Sequence, residues 1–189
     1  MQEIIDPRIR RTRLALQQAL QKLVKTKRFN ALSVQDIAEE AGVNRVTFYD
    51  HYPDKFALLE CLVATRFQEH LDRRNIKFDG SCSSALRVIV MAVCDYLVGT
   101  RTLKKDRQCE MEPHLETAII SVVRRLIVEG LRQHPVERPV SPEMTAATVS
   151  WAIYGAAQEW LRTPHRGSPE QTADVILSLV SPILGGATV

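Results

Sequence analysis

The chain has 189 residues, 45% of them hydrophobic and 25% charged, with a net charge of +3. That length buries a substantial core, in one domain or in a small domain joined to a larger one, and the composition is that of an ordinary globular chain. The charge is unevenly placed: residues 1–55 hold ten Lys and Arg against seven acids, and residues 8–28 carry eight basic side chains and no acid.

Such asymmetry points to a polyanionic partner, with a solvated basic helix face as the plainer alternative. Helical periodicity dominates along the chain, with no convincing strand or internal repeat, so an all-α protein is expected. A first helix should run from Pro7 to about Lys27, capped by Asp6, with Leu16, Ala19, Leu20, Leu23 and Val24 on one face. Ser33-Val34-Gln35-Asp36 opens a second helix with the chemistry of a capping box, and Val34, Ile37 and Ala41 should point inward. A short third helix lies between Asn44, a good N-cap, and Tyr52, because Pro53 stops it. A fourth, capped by Asp54, should extend from Lys55 to about Arg74, with Phe56, Leu59, Leu62, Val63 and Phe67 inward.

Gly80-Ser81-Cys82-Ser83 reads as a linker before a helix over 84–98, apolar on nearly every side and therefore central. Residues 100–108 suggest a short bent helix, and a long one is expected from Pro113 to about His134. Pro135 and Pro139 mark a loop. Ser141-Pro142-Glu143 and Ser168-Pro169-Glu170 then open two last helices, each with an N-cap Ser and Pro at N1, ending near Leu161 and Leu184.

The cysteines at 61, 82, 94 and 109 form no CxxC pair, and Cys61 and Cys94 lie in apolar runs, so buried free thiols in a reducing compartment are expected. Met1–Arg13 has no apolar core of a signal peptide, and charges interrupt every apolar stretch, so neither export nor a transmembrane helix is expected and the location should be cytoplasmic.

Ser33–Tyr52 places two helices around the turn Ala41-Gly42-Val43, where Gly42 can adopt the left-handed conformation. Phe48 and Tyr52 share one face of the third helix and can pack on Ile37 and the first helix. Arg45, Val46, Thr47 and Tyr49 then point away from that core, as in a helix-turn-helix whose second helix enters the major groove. Arg45 can donate two hydrogen bonds to guanine, and Val46 and the Thr47 methyl can meet a thymine methyl. Tyr49, His51 and Lys55 suit phosphate oxygens, joined by free N–H groups at the start of the fourth helix. Ser33 and Asn44 complete the candidate DNA-binding set.

Residues 12–63 resemble the DNA-binding unit of the TetR family of bacterial repressors. The resemblance is carried by an Ala-containing first helix, Phe29, Ser33-Val34, Asp36-Ile37-Ala38, Ala41-Gly42-Val43, Thr47-Phe48-Tyr49, His51-Tyr52, Lys55 and Leu58-Leu59. It implies an N-terminal helix-turn-helix domain over 1–53 and a helical ligand-binding and dimerisation domain over 54–189. It also implies a homodimer on a palindromic operator, released when a small-molecule effector binds the C-terminal bundle. One position departs. Arg28 stands where the family usually has Gly, so either a left-handed cap persists at a cost of about 1–2 kcal/mol or the turn differs locally.

Cys109, Glu110, Glu112 and His114 bring metal-ligand types together, but a solvated loop before a helix accounts for them better, and no metal or cofactor is expected. The candidate effector pocket comprises Phe67, Met91, Tyr96, Ile119, Val123, Trp151, Tyr154 and Gln158, with plain core as its alternative. Ile176, Val180 and Leu184, with Ala173 and Leu177, form one apolar line on the last helix, while Val175, Leu179 and Ile183 form a second. One line docks that helix on its own bundle, so the second, with small residues of the preceding helix such as Ala146, Ala147, Ser150, Gly155, Ala156 and Ala157, is the candidate dimer face. No catalytic constellation is visible. The functional expectation is a DNA-binding repressor. Its rival is a helical protein-interaction module, or a regulator governed by a partner protein without a small ligand.

Overall fold

A computed structural model of the chain describes residues 6–73, 83–100, 105–133 and 140–185, without the side chains of residues 83, 84, 105–110 and 185. Its helices are α1 (Pro7–Leu23), α2 (Val34–Ala41), α3 (Arg45–His51), α4 (Lys55–Asp72), α5 (Ser83–Thr100), α6 (Lys105–Gln133), α7 (Pro142–Arg162) and α8 (Pro169–Gly185). Among the described residues there is no strand, and the chain is all-α as its periodicity predicts. The helices form two compact units, with boundaries at Val63/Ala64 and Leu115/Glu116. The division therefore falls within α4 rather than at residue 53, and it gives the first turns of α6 to the N-terminal unit.

In the N-terminal unit, α1 starts where its cap chemistry places it: Pro7 is at N1 and the Asp6 carboxylate accepts from Arg8 N–H at 2.8 Å. It ends at Leu23, not Lys27. The N–H groups of Thr26 and Lys27 donate to the Leu23 carbonyl at 3.0 and 2.8 Å, and the Thr26 hydroxyl donates to it at 3.1 Å. The two Thr26 bonds, to a carbonyl three residues back, compete with another α-helical turn. Arg28 is not left-handed, since among the described residues only His165 has positive φ without being glycine. The turn thus differs from the glycine-capped form and carries no strain at Arg28. Leu16, Leu20, Phe29, Ile37, Phe48, Leu58 and Leu59 are fully buried and make the core on which α1, α2 and α3 pack together.

In the C-terminal unit α5 packs on both α7 and α8, and these two pack on each other. Ile89, Val90, Ala92, Val93 and Cys94 are wholly buried, which is why this stretch reads as apolar on every side. Arg87 of α5 pairs with Asp174 of α8 and donates to the Glu170 carbonyl at 3.4 Å. Ala146, Ser150 and Ala157 face inward and are buried, so those small residues permit close approach of α7 to its own neighbours rather than to a second subunit. α6 begins before Pro113, which sits inside it. The sequence offers Pro113 as a start because proline fits N1 so well, yet a helix carries an interior proline when the carbonyl four residues earlier forgoes its donor. Residues 109–114 are therefore helical, not a solvated loop. Among the described residues no three His, Cys, Asp or Glu side chains gather as a metal site, and no helix is long and apolar enough to cross a membrane. Ser83 and Thr100 are the ends of α5 and residues 105–108 open α6, so neither the expected linker at Ser83 nor a separate short helix over 100–108 is seen there; residues 80–82 and 101–104, most of the 135–140 loop and the side chains of Cys82, Cys109 and Glu110 lie outside the described residues.

Candidate nucleic-acid interface

The helix-turn-helix is built from three caps. At α2, Ser33 Oγ accepts from Asp36 N–H at 3.1 Å while Ser33 N–H donates to Asp36 Oδ2 at 2.9 Å, a complete capping box. Gly42 ends α2 with φ +69°, and Val43 N–H reaches back to the Ala38 carbonyl at 3.0 Å. Asn44 then starts α3 by accepting from Thr47 N–H at 2.7 Å. These bonds aim a seven-residue helix that could not stand alone.

α3 is two-sided. Phe48 and Tyr52 are buried, whereas Arg45, Val46 and Tyr49 are exposed and Thr47 and His51 half-buried. Val46 is 70% exposed, a large apolar side chain left in water. The Arg45 guanidinium lies 5.5 Å from the Tyr49 ring centroid and donates to its hydroxyl at 3.3 Å, so the two side chains are held side by side on the exposed face. Ser33 and Asn44 act as caps: the Ser33 hydroxyl already donates to Asp36 at 2.6 Å.

Behind α3, three helices meet at one thiol. Gln17 Nε2 of α1 and the Tyr52 hydroxyl donate to Cys61 Sγ of α4 at 3.4 and 3.5 Å, and the Arg13 guanidinium lies 5.4 Å over the Tyr52 ring. Burial, and then the neighbouring Cys61, push the Tyr52 phenol up to about 12. It therefore remains a neutral donor. Cys61 and Cys94 are free thiols, Cys61 only half-buried.

Two expectations at the start of α4 are corrected. The N–H groups of Phe56 and Ala57 are not open to a phosphate, because the Asp54 carboxylate accepts from both at 2.8 Å. Lys55 does not reach outward either: its ammonium donates to the carbonyls of Phe29, Asn30 and Leu32 at 3.0, 3.1 and 2.7 Å. Phe56 is exposed rather than inward, and stacks on His114, with ring centroids 4.9 Å apart. His114 Nδ1 lies 3.1 Å from Glu60 Oε1. Two of the basic residues of 8–28 are also spoken for: Lys22 pairs with Glu40 at 2.5 Å and Lys27 with Asp36 at 2.8 Å. The basic run is thus partly neutralised by acids of α2.

In the other unit, Phe67, Ile119 and Val123 are fully buried and Phe67 meets Tyr96 edge-to-face at 5.5 Å. Burial pushes the Tyr96 phenol up to about 12. Met91 is half-buried, and Tyr154 is buried with its hydroxyl accepting from Gln158 at 2.8 Å. Trp151 departs from the expected pocket set: it is 56% exposed, one helix face away from Tyr154. It joins Met144 on α7, while Val175, Leu179 and Ile183 are exposed on α8 and Gly155 is exposed beside Trp151's turn. Trp160, by contrast, is buried and donates to the Gly167 carbonyl at 2.9 Å. An open groove of about 640 Å³ along α6, lined by Arg124, Arg125, Val128 and Arg132 among others, shares no residue with the expected pocket.

Residues 19–62 match the sequence profile of bacterial regulatory proteins of the tetR family. An uncharacterised HTH-type transcriptional regulator of Bacillus subtilis, YxbF, is 37% identical over 73 residues, 38% of this chain and 19% of that protein. The HTH-type transcriptional regulator EthR of Mycolicibacterium smegmatis is 46% identical over 43 residues, 23% of this chain and 20% of its own. These matches span about a fifth of each relative's length. In fold, the chain is similar to Lin0861 of Listeria innocua with a TM-score of 0.65 and 19% identity, over 96% of this chain and 95% of the other. The capped α2–turn–α3 of that matched segment is similar to the helix-turn-helix of the tetR family of bacterial regulatory proteins.

Proposed function

We propose that the chain is a DNA-binding transcriptional regulator, a repressor that binds a palindromic operator as a homodimer in the cytoplasm. The observation that carries this reading is the two-sidedness of α3: Phe48 and Tyr52 hold it to the core while Arg45, Val46 and Tyr49 stand in solvent. Arg45 is suited to guanine O6 and N7, Val46 and Thr47 to a thymine methyl, and Tyr49 and His51 to phosphate. The exposed Val175, Leu179 and Ile183 on α8, beside an exposed Trp151 and Gly155 on α7, support a two-fold interface of helices. Such a dimer presents two α3 helices to successive major grooves roughly 34 Å apart.

The finer reading is release by a small-molecule effector held among Phe67, Met91, Tyr96, Ile119, Val123, Tyr154 and Gln158. The tight packing of Phe67, Ile119, Val123 and Tyr154 favours a second reading, control by a partner protein without a small ligand. Both rest on DNA recognition, which binding-site selection from a random duplex library tests. A two-fold symmetric consensus is the expected result, and recovery of unrelated sequences would overturn the proposal.

A further inference from the structure

Lys55 is the first residue of α4, directly beyond the helix-turn-helix, and its ammonium closes on carbonyls that lie directly before it. The acceptors belong to Phe29, Asn30 and Leu32, in the turn that delivers Ser33 to the start of α2. An ammonium has three N–H donors, and here three carbonyls take them. The same nitrogen lies 5.0 and 5.5 Å from the ring centroids of Phe29 and Phe56, so aromatic faces cover the charge as well. Phe29 is fully buried, which fixes the turn from the inside. The side chain thus joins the entrance of the helix-turn-helix to its exit and closes the segment 29–55 around α2 and α3.

We infer that Lys55 is a positioning residue for DNA recognition, which orients α2 and α3 by tying the 29–32 turn to the start of α4, and is not a phosphate contact. The inference rests on the DNA-binding reading above. Reaching a phosphate would cost the ammonium all three carbonyls at once. Ammonium geometry matters too: all three carbonyls meet one nitrogen, whereas the planar guanidinium of arginine keeps the charge but spreads its donors over three nitrogens and does not fit the same point.

The test compares wild type, Lys55→Met and Lys55→Arg on a random-sequence duplex across a salt series, at a temperature where all three are fully helical by circular dichroism. The expected result is a lower Tm for both variants, by about 5 °C or more, and an affinity loss of about tenfold with the salt slope of wild type. Lys55→Arg should not rescue. A slope shallower by about 0.9 in Lys55→Met is the signature of one lost phosphate contact and overturns the inference. Full affinity in Lys55→Arg overturns it likewise, as does a lowered Tm with unchanged affinity, which marks a merely structural role. Should the variants not fold, labelled wild type decides. A hydrogen-bonded Lys55 ammonium in slow proton exchange, unchanged when duplex is added, is expected, and a signal that appears only with duplex overturns the inference. Wild type that binds no duplex overturns the DNA reading instead.

Discussion

Ser33 and Asp36 cap each other across the first turn of α2, and Lys27 adds its ammonium to the same carboxylate at 2.8 Å. The Lys27 ammonium first, and then the Ser33 hydroxyl and amide, hold the Asp36 carboxyl well below the usual carboxylate range. A carboxyl depressed in the folded chain adds stability that is complete above its unfolded value of about 4, and that is lost as pH falls through that value towards the folded one. Urea midpoints between about pH 6 and about pH 3 should therefore fall more steeply for wild type than for Asp36→Asn. Equal slopes would remove Asp36 from the acid response. Ser33→Ala, which takes away the hydroxyl half of the box, should cost about 1 kcal/mol in the same measurement.

Gly42 tests the turn. Its φ of +69° belongs to the left-handed region, and a Cβ there would meet no atom within 4 Å. Gly42→Ala should thus destabilise through backbone conformation alone, by about 1–2 kcal/mol. Asn, which tolerates that region better, should lose less in the same denaturant titration.

Arg45 tests base recognition. Arg45→Ala should weaken binding to the selected site by about 1–3 kcal/mol and relax the preference at one base position in each half-site. A uniform loss across all sequences, with the consensus intact, would reassign Arg45 to the phosphate backbone.

Leu179 tests the subunit interface. It is 64% exposed at the middle of the Val175–Leu179–Ile183 row. Leu179→Glu should give a monomer by sedimentation at micromolar concentration, with helical content retained and tight operator binding lost. Phe67→Ala makes the contrast: at a wholly buried site it should cost about 3–5 kcal/mol of folding stability.

Much of this fold is legible in the sequence, and for a common reason. Asp6, Ser33, Asn44 and Ser141, with the prolines that follow Asp6 and Ser141, act within a turn of themselves, so the helix starts at Pro7, Val34, Arg45 and Pro142 follow from local chemistry. Phe48 and Tyr52 are buried as their spacing requires. What escaped depends on partners distant in the chain. Lys55 looks like a surface cation until the carbonyls of 29–32 are beside it. Lys22 and Lys27 look like free charge until α2 brings Glu40 and Asp36. The spacing of Trp151 and Tyr154 suggests one face, yet one is exposed and the other buried, because three residues along a helix is enough to cross the edge of the core. Asp54 was the missed clue: a residue recognised as a cap already claims the N–H groups that a phosphate would need.

The chain has two tryptophans, and the fold puts them in opposite surroundings. Trp160 is packed away, bonded to the Gly167 carbonyl and covered by the Arg166 guanidinium 5.0 Å above its ring. Trp151 stands in water on the exposed side of α7. Intrinsic fluorescence is therefore a sum of a constant blue component and one whose colour depends on what lies against α7. Subunit association should shift the emission to shorter wavelength as concentration rises, and iodide should quench Trp151 alone in the dilute chain. In the proposed dimer, the molecule needs no dye to report its assembly.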